Sequence, residues 1–283
     1  MKLPAIVDSH VHLWNPSQIR YPWLKDVPAL DRAFLPADFS AAASMSGVGK
    51  MIFVESGCDP VQSLAEAKWV SILAEQEPRL KGIIVHAPLE KGLGVREELE
   101  VLAAMPLVKG IRRLLQGETD AGFCLRPKFV AGVKSLEKFN FTFDLCIRPE
   151  QLPSVTELVR QIPQVTFILD HMGKPNIRSV QTEPWSKNLE ALAALPNVVC
   201  KISGLTTEAD HAHWQPGDLK FYLDRALELF GIDRVIFGGD WPVATLATGY
   251  GRWIETVQNA FSPVGEAGLV KLFKTNAERI YRV

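Results

Sequence analysis

Two histidines one residue apart, His10 and His12, are the first residues in the chain whose types and spacing suggest chemistry. On an extended strand, alternate side chains share a face, so both imidazoles point the same way. Such a pair can hold one metal ion or clamp one substrate oxygen. A carboxylate that could join them is Asp240, in Phe237-Gly238-Gly239-Asp240-Trp241-Pro242. There it can bind a metal, take a proton from attacking water, or do both in turn. A third imidazole, His171, follows Ile168-Leu169-Asp170. Regular strand alternation would turn Asp170 away, which makes His171 the one expected to face the reaction.

Several weaker candidates share this pattern of a polar residue closing an apolar run. Glu55 is a further candidate metal ligand and His86 a candidate substrate contact. Of the doublet Arg112-Arg113, one guanidinium can face inward, where it would suit a carboxylate or a polarised carbonyl. The aromatic, proline-rich stretch Trp14-Asn15-Pro16 to Tyr21-Pro22-Trp23-Leu24 could stack on a ring and exclude water, as could Trp241. A second His-x-His, His211-Ala212-His213, lies among Asp210, Gln215, Pro216 and Gly217 and reads as a solvated loop.

The elements that must position these groups are eight short apolar runs: Ala5–His12, Lys50–Glu55, Leu80–His86, Val108–Leu114, Phe141–Ile147, Val165–His171, Val198–Ile202 and Arg234–Asp240. Most are rich in Val, Ile and Phe without strict alternation, as strands buried on both faces are. Amphipathic stretches at Val61–Glu77, Val95–Met105, Pro149–Gln161 and Leu219–Phe230 separate some of them. In the last, Asp218 stands at the head and Gly231 just past the end. Eightfold β-α alternation predicts a (β/α)₈ TIM barrel formed as one domain over residues 1–283, with an open α/β sheet as the alternative. No G-x-G-x-x-G follows the first strand and no P-loop occurs. In a barrel the C-terminal strand ends converge on one mouth, which gathers the groups named above.

Composition narrows the partners. In 283 residues, 31 Lys and Arg nearly cancel 32 Asp and Glu, so nothing favours nucleic acid or an anionic membrane. The four cysteines, Cys58, Cys124, Cys146 and Cys200, form no C-x-x-C pair and read as reduced thiols. With no leader pattern and no apolar run near 18 residues, a cytoplasmic location is expected. The sequon Asn140-Phe141-Thr142 opens an apparent buried strand and is read as chance. A small-molecule substrate is the expected partner, and a homodimer is the association state to test.

Asp8-Ser9-His10-Val11-His12-Leu13-Trp14 together with Tyr21-Pro22-Trp23-Leu24 resembles the opening of the amidohydrolase-2 group that includes L-fuconolactonase-like and L-rhamnonolactonase-like sugar lactonases. Lys109-Gly110-Ile111-Arg112, Leu169-Asp170-His171-Met172-Gly173-Lys174-Pro175 and Lys201-Ile202-Ser203-Gly204-Leu205 are similar to its middle motifs. Phe237 to Pro242 and the closing Asn276-Ala277-Glu278-Arg279-Ile280-Tyr281 also fit. Two departures stand out, Gly239 where serine is expected and His86 where an apolar or Trp residue is. The resemblance implies an amidohydrolase-type barrel whose mouth carries His10, His12, His171 and Asp240, with Arg112 on the substrate. It implies hydrolysis of a small cyclic ester, with a decarboxylase or amidase on the same barrel as the alternative. A non-enzymatic binding barrel would have no need of a general base beside a water-activating cluster. One divalent ion, Zn²⁺ for this donor set, would sit among His10, His12, Glu55, His171 and Asp240; metal-free catalysis by Asp240 and His171 is the other option. No lysine ends the fourth or fifth strand to bridge two ions, so a binuclear centre is not expected.

Overall fold

Each apolar run becomes a strand in the computed structural model, which describes residues 4–283. The strands are β1 (Ile6–Val11), β2 (Val48–Val54), β3 (Leu80–Val85), β4 (Val108–Arg112), β5 (Thr142–Leu145), β6 (Phe167–Leu169), β7 (Val198–Ile202) and β8 (Val235–Phe237). They pair in parallel in sequence order, β1 to β8. The ring closes beyond the ends of β8 and β1: Asp240 N donates to His10 O at 2.8 Å, and His12 N donates to Trp241 O at 2.7 Å. The expected (β/α)₈ barrel is therefore the observed one, and the open sheet is excluded.

Burial on both strand faces explains the near-continuous apolar runs. Outward residues such as Ile6, Phe53, Ile83, Phe143 and Val235 pack under the helices in one large cluster. Inward residues Val7, Ile52, Val54, Ile84, Ile168, Val199 and Ile236 form a second cluster with Ala277, Ile280 and Tyr281 of the helix Asn276–Tyr281. That helix plugs the barrel floor. Above the plug the interior turns polar.

The helices lie close to their expected places. The stretch expected from Leu219 begins three residues earlier, as Pro216–Phe230, because Pro216 suits the first helical position and Asp218 Oδ2 accepts Gln215 N at 2.8 Å. The stretch from Pro149 opens as a short 3-10 turn before the helix Leu152–Gln161.

Two strands shorten most against expectation, and the reason matters for the site. Val165–His171 yields only Phe167–Leu169, and Arg234–Asp240 only Val235–Phe237. The chain leaves extended geometry at the mouth: His171 and Met172 have φ of 53° and 55°, and Asp240 has φ of 53°. Left-handed backbone at residues other than glycine is costly and gathers where side chains must be aimed. β1 carries a related device. Its register against β2 runs Asp8↔Met51 and then Val11↔Phe53, so β1 holds one extra residue. This bulge lets inward-facing Val7 and the inward histidines share a strand despite the wrong parity. Asp8 instead points to the helix Tyr250–Ala260, accepting Tyr250 Oη at 2.6 Å and Gly239 N at 2.8 Å.

Candidate active site and metal centre

The imidazoles of His10 and His12 meet as the strand period requires, with their Nε2 atoms 3.1 Å apart. Asp240 Oδ1 lies 3.7 Å from the first and 3.6 Å from the second. Donors around a tetrahedral ion at about 2.0–2.2 Å stand roughly 3.3–3.6 Å from one another. The triangle's edges of 3.1, 3.6 and 3.7 Å bracket that spacing, so the donor set fits one divalent ion of the zinc type after small adjustments. All three residues are buried.

Outer hydrogen bonds fix how these ligands present themselves. His12 Nδ1 lies 2.8 Å from the carbonyl oxygen of Val54. A carbonyl only accepts, so Nδ1 carries the proton and Nε2 offers its lone pair to the triangle. His10 Nδ1 faces Asp170 Oδ1 at 3.4 Å and the Lys201 ammonium at 3.2 Å. Burial holds His10 well below the usual imidazole range, against the pull of Asp170. His171 accepts or donates at Ser203 Oγ, 2.9 Å from its Nδ1, and burial lowers it to about 4. Burial opposes the charge on Asp240, yet His171, His12 and His10 hold its carboxyl well below the ordinary range. At neutral pH His10 and His171 are thus neutral and Asp240 is ionised, the forms that ligate metals.

Glycines make room for this crowding at two points. A Cβ on Gly238 would lie 2.8 Å from His10 Cβ, and one on Gly204 would lie 2.4 Å from His171 Nδ1.

Arg112, inward from β4, donates Nε to Glu55 Oε1 at 2.7 Å and Nη2 to Glu55 O. Its Nη1 lies 3.4 Å from His10 Nε2 and 3.3 Å from Asp170 Oδ2. Arg113 turns outward to Glu90 and Glu118. Glu55 was expected to be a metal ligand, but its carboxylate is engaged by Arg112 and by Gly57 N at 2.7 Å. It belongs to no convergent donor group among the described residues. Here it orients the guanidinium.

Above the triangle opens a cavity of about 530 Å³, within the usual range for a small-molecule site. His12, His171, Arg112 and Asp240 reach it, with Trp14, Pro22 and Trp23 as an aromatic wall and Gln116, Lys174 and Thr207 as polar lining. Both indoles have their N–H groups engaged elsewhere: Trp14 Nε1 donates to Arg32 O at 2.8 Å and Trp23 Nε1 to Ser56 O at 2.8 Å. The wall therefore offers only ring faces.

Three expected substrate contacts do not reach this cavity. Tyr21 is buried against Trp14, and Trp241 packs between Phe34 and Phe39 behind the wall. His86 lines a separate hollow of about 410 Å³ with Ser63, Lys91 and Glu97. His211 and His213 are exposed on their loop, as expected.

The sequence reading missed three interior charges. Asp170 was expected to face away from the mouth. Because β6 ends at Leu169 and a 3-10 turn follows, both Asp170 and His171 face inward, and the two share a donor cluster with His10. Lys201, next to last in β7, is fully buried between Asp144 Oδ2 at 2.7 Å and Asp170 Oδ1 at 2.8 Å. Tyr281 Oη, from the plug, donates to Asp144 Oδ2 at 3.0 Å. Burial favours a neutral lysine, but the two carboxylates keep Lys201 charged well above its usual range. The available signal was a charge inside a doubly buried strand, which must be paired.

A His-His-Asp triangle that could hold one metal ion thus lies at the C-terminal mouth of the (β/α)₈ barrel. The amidohydrolase family model matches residues 7–283, and the chain belongs to that family. Among its relatives, the L-fucono-1,5-lactonase of Burkholderia multivorans is 32% identical over 292 residues, covering 97% of this chain and 95% of the relative. The L-fucono-1,5-lactonase of Burkholderia ambifaria is 28% identical, covering 98% and 95%. The crystal structure of an amidohydrolase from Burkholderia multivorans with bound zinc matches with a TM-score of 0.89 at 29% identity, covering 99% of this chain and 100% of the other. Among the described residues, no helix is long and apolar enough to cross a membrane.

Proposed function

We propose that this amidohydrolase-family enzyme opens a small cyclic ester, a sugar lactone of the fuconolactone type, by attack of water on the ring carbonyl. The observation that carries the reading is the His10–His12–Asp240 triangle beside a cavity lined by Trp14 and Trp23 as well as by Gln116, Lys174 and Thr207. A sugar ring has the matching mixture, with C–H groups for the indoles and hydroxyls for Gln116, Thr207 and Lys174. The lactonase relatives support the same substrate class.

A divalent ion held by His10, His12 and Asp240 would supply positive charge to the carbonyl oxygen and acidify a nearby water. The chain's own groups do the rest. Asp240, anionic at neutral pH, accepts the proton of the attacking water and returns it to the ring oxygen as the acyl–oxygen bond breaks. Arg112, held by Glu55, adds guanidinium charge where negative charge develops on the carbonyl oxygen. Neutral His171 orients the carbonyl from the other side. The product hydroxy acid ionises in solution, so turnover releases acid.

The test is a panel of five- and six-membered sugar lactones, followed with a pH indicator with and without a chelator. Rapid, chelator-sensitive acid release from at least one lactone is expected. Silence across the panel from zinc-loaded protein would reject the lactonase reading, and CO₂ release from an aromatic acid would replace it with a decarboxylase.

A further inference from the structure

Lys201 stands where a second cation would stand. Its ammonium lies 2.7 Å from Asp144, 2.8 Å from Asp170 and 3.2 Å from His10 Nδ1. Asp170, His10 and His171 together form the second convergent donor group beside the triangle. The ion-paired set around His10 comprises four carboxylates (Glu55, Asp144, Asp170 and Asp240) and two cations (Arg112 and Lys201), all buried. Charges so buried are costly unless compensated.

The same ammonium bears on the orientation of His10. Asp170 Oδ1 is buried, 2.8 Å from the Lys201 ammonium, and His10 Nδ1 faces it at 3.4 Å. An imidazole that turns its Nε2 lone pair toward an ion must carry its proton on Nδ1, and Asp170 Oδ1 is the acceptor which that proton faces. Lys201 holds Asp170 in place for it. The ammonium is itself anchored from below, through Asp144 to the Tyr281 hydroxyl.

We propose that Lys201 is a built-in cation that fixes Asp170 against His10 and takes the place of a second metal, confining the centre to one divalent ion. The proposal rests on the metal-holding reading of His10, His12 and Asp240 given above. Lys201 is a positioning residue, since it reaches the ion only through Asp170 and His10.

The test is calorimetric titration of metal-stripped protein with Zn²⁺ alone, paired with Co²⁺ absorption spectra. The unaltered chain should bind one ion per chain. Lys201→Met should bind it tenfold to a hundredfold more weakly, the range seen when partners of metal-bound histidines are lost, with an altered Co²⁺ spectrum and unchanged circular dichroism. If Lys201→Met does not fold, the double variant Lys201→Met/Asp144→Asn carries the same expectation with one buried charge fewer. Two ions per unaltered chain, or unchanged affinity and spectrum in a folded variant, would overturn the proposal and leave the metal-holding reading intact. No binding by the unaltered chain would overturn both.

Discussion

His12 donates its Nδ1–H to the carbonyl oxygen of Val54 at 2.8 Å, so a backbone atom of β2 sets which nitrogen of a β1 histidine faces the site. That bond fixes the imidazole before any ligand arrives. His12→Ala removes one corner of the donor triangle, and zinc affinity should fall at least a hundredfold by calorimetry. Lactone hydrolysis should fall by two orders of magnitude or more. Full turnover with metal binding lost would show that the ion has no catalytic part.

The Arg112–Glu55 pair depends on the shape of a guanidinium, whose Nε and Nη2 reach a carboxylate oxygen and a backbone oxygen of the same residue. Lysine cannot reproduce that fork. Arg112→Met leaves Glu55 buried without its partner and should cost about 3–5 kcal/mol of unfolding free energy in urea. Arg112→Lys should retain more of the stability yet lose about 10- to 100-fold in kcat/KM. Equal activity of the lysine variant would mean that charge alone suffices.

Gly238 leaves no space for a side chain, since a Cβ there would stand 2.8 Å from His10 Cβ and 3.1 Å from Ser203 Cβ. Gly238→Ala should destabilise by about 1–3 kcal/mol through overpacking. It should also weaken zinc binding, because His10 must shift. A melting temperature and zinc affinity both unchanged would place the contact elsewhere.

Glu66 titrates unusually high. Burial, and then the neighbouring Glu55, push its carboxyl up to about 8. A folded-state value above the unfolded one contributes stability that is complete below about pH 4.5 and is lost as pH rises through 8. Glu66→Gln keeps an acceptor for Ser56 N but carries no charge. Relative to the unaltered chain it should gain stability between pH 5 and 8, levelling off above 8 at a gain on the order of 3–5 kcal/mol. A gain independent of pH would assign the titration to another group.

What the sequence made legible follows from periodicity. His10, His12, Arg112, His171 and Asp240 all end apolar runs, and barrel geometry gathers such ends. Closure was also implied by eight repeats, though the atoms that close the ring, at His10, His12, Asp240 and Trp241, carried no pattern of their own. Alternation failed where the backbone abandons it. The turn after Leu169 brings Asp170 inward beside His171, and the β1 bulge sends Asp8 to Tyr250. Asp144 and Lys201 stand one residue short of their strand ends, each followed by an apolar residue, so they do not close an apolar run as the other site residues do. Tyr21, Trp241 and His86 had suitable chemistry at suitable positions, but which of several aromatic or polar groups reaches a cavity is decided by loop paths, which local sequence does not encode.

The tyrosine on the barrel floor has a consequence for the order in which the site can mature. Tyr281 follows all eight strands in sequence, yet its hydroxyl belongs to the ionic core that His10 on the first strand shares. During synthesis the histidine pair emerges early and the buried lysine late, and their charges wait for the floor helix before water is shut out. A nascent chain that has already displayed every residue of the mouth still lacks the floor helix and its Tyr281 hydroxyl. Arrested chains stopped before Asn276 should be protease-sensitive and take up no zinc tightly, whereas chains carrying the floor helix should resist protease and bind zinc as the mature enzyme does.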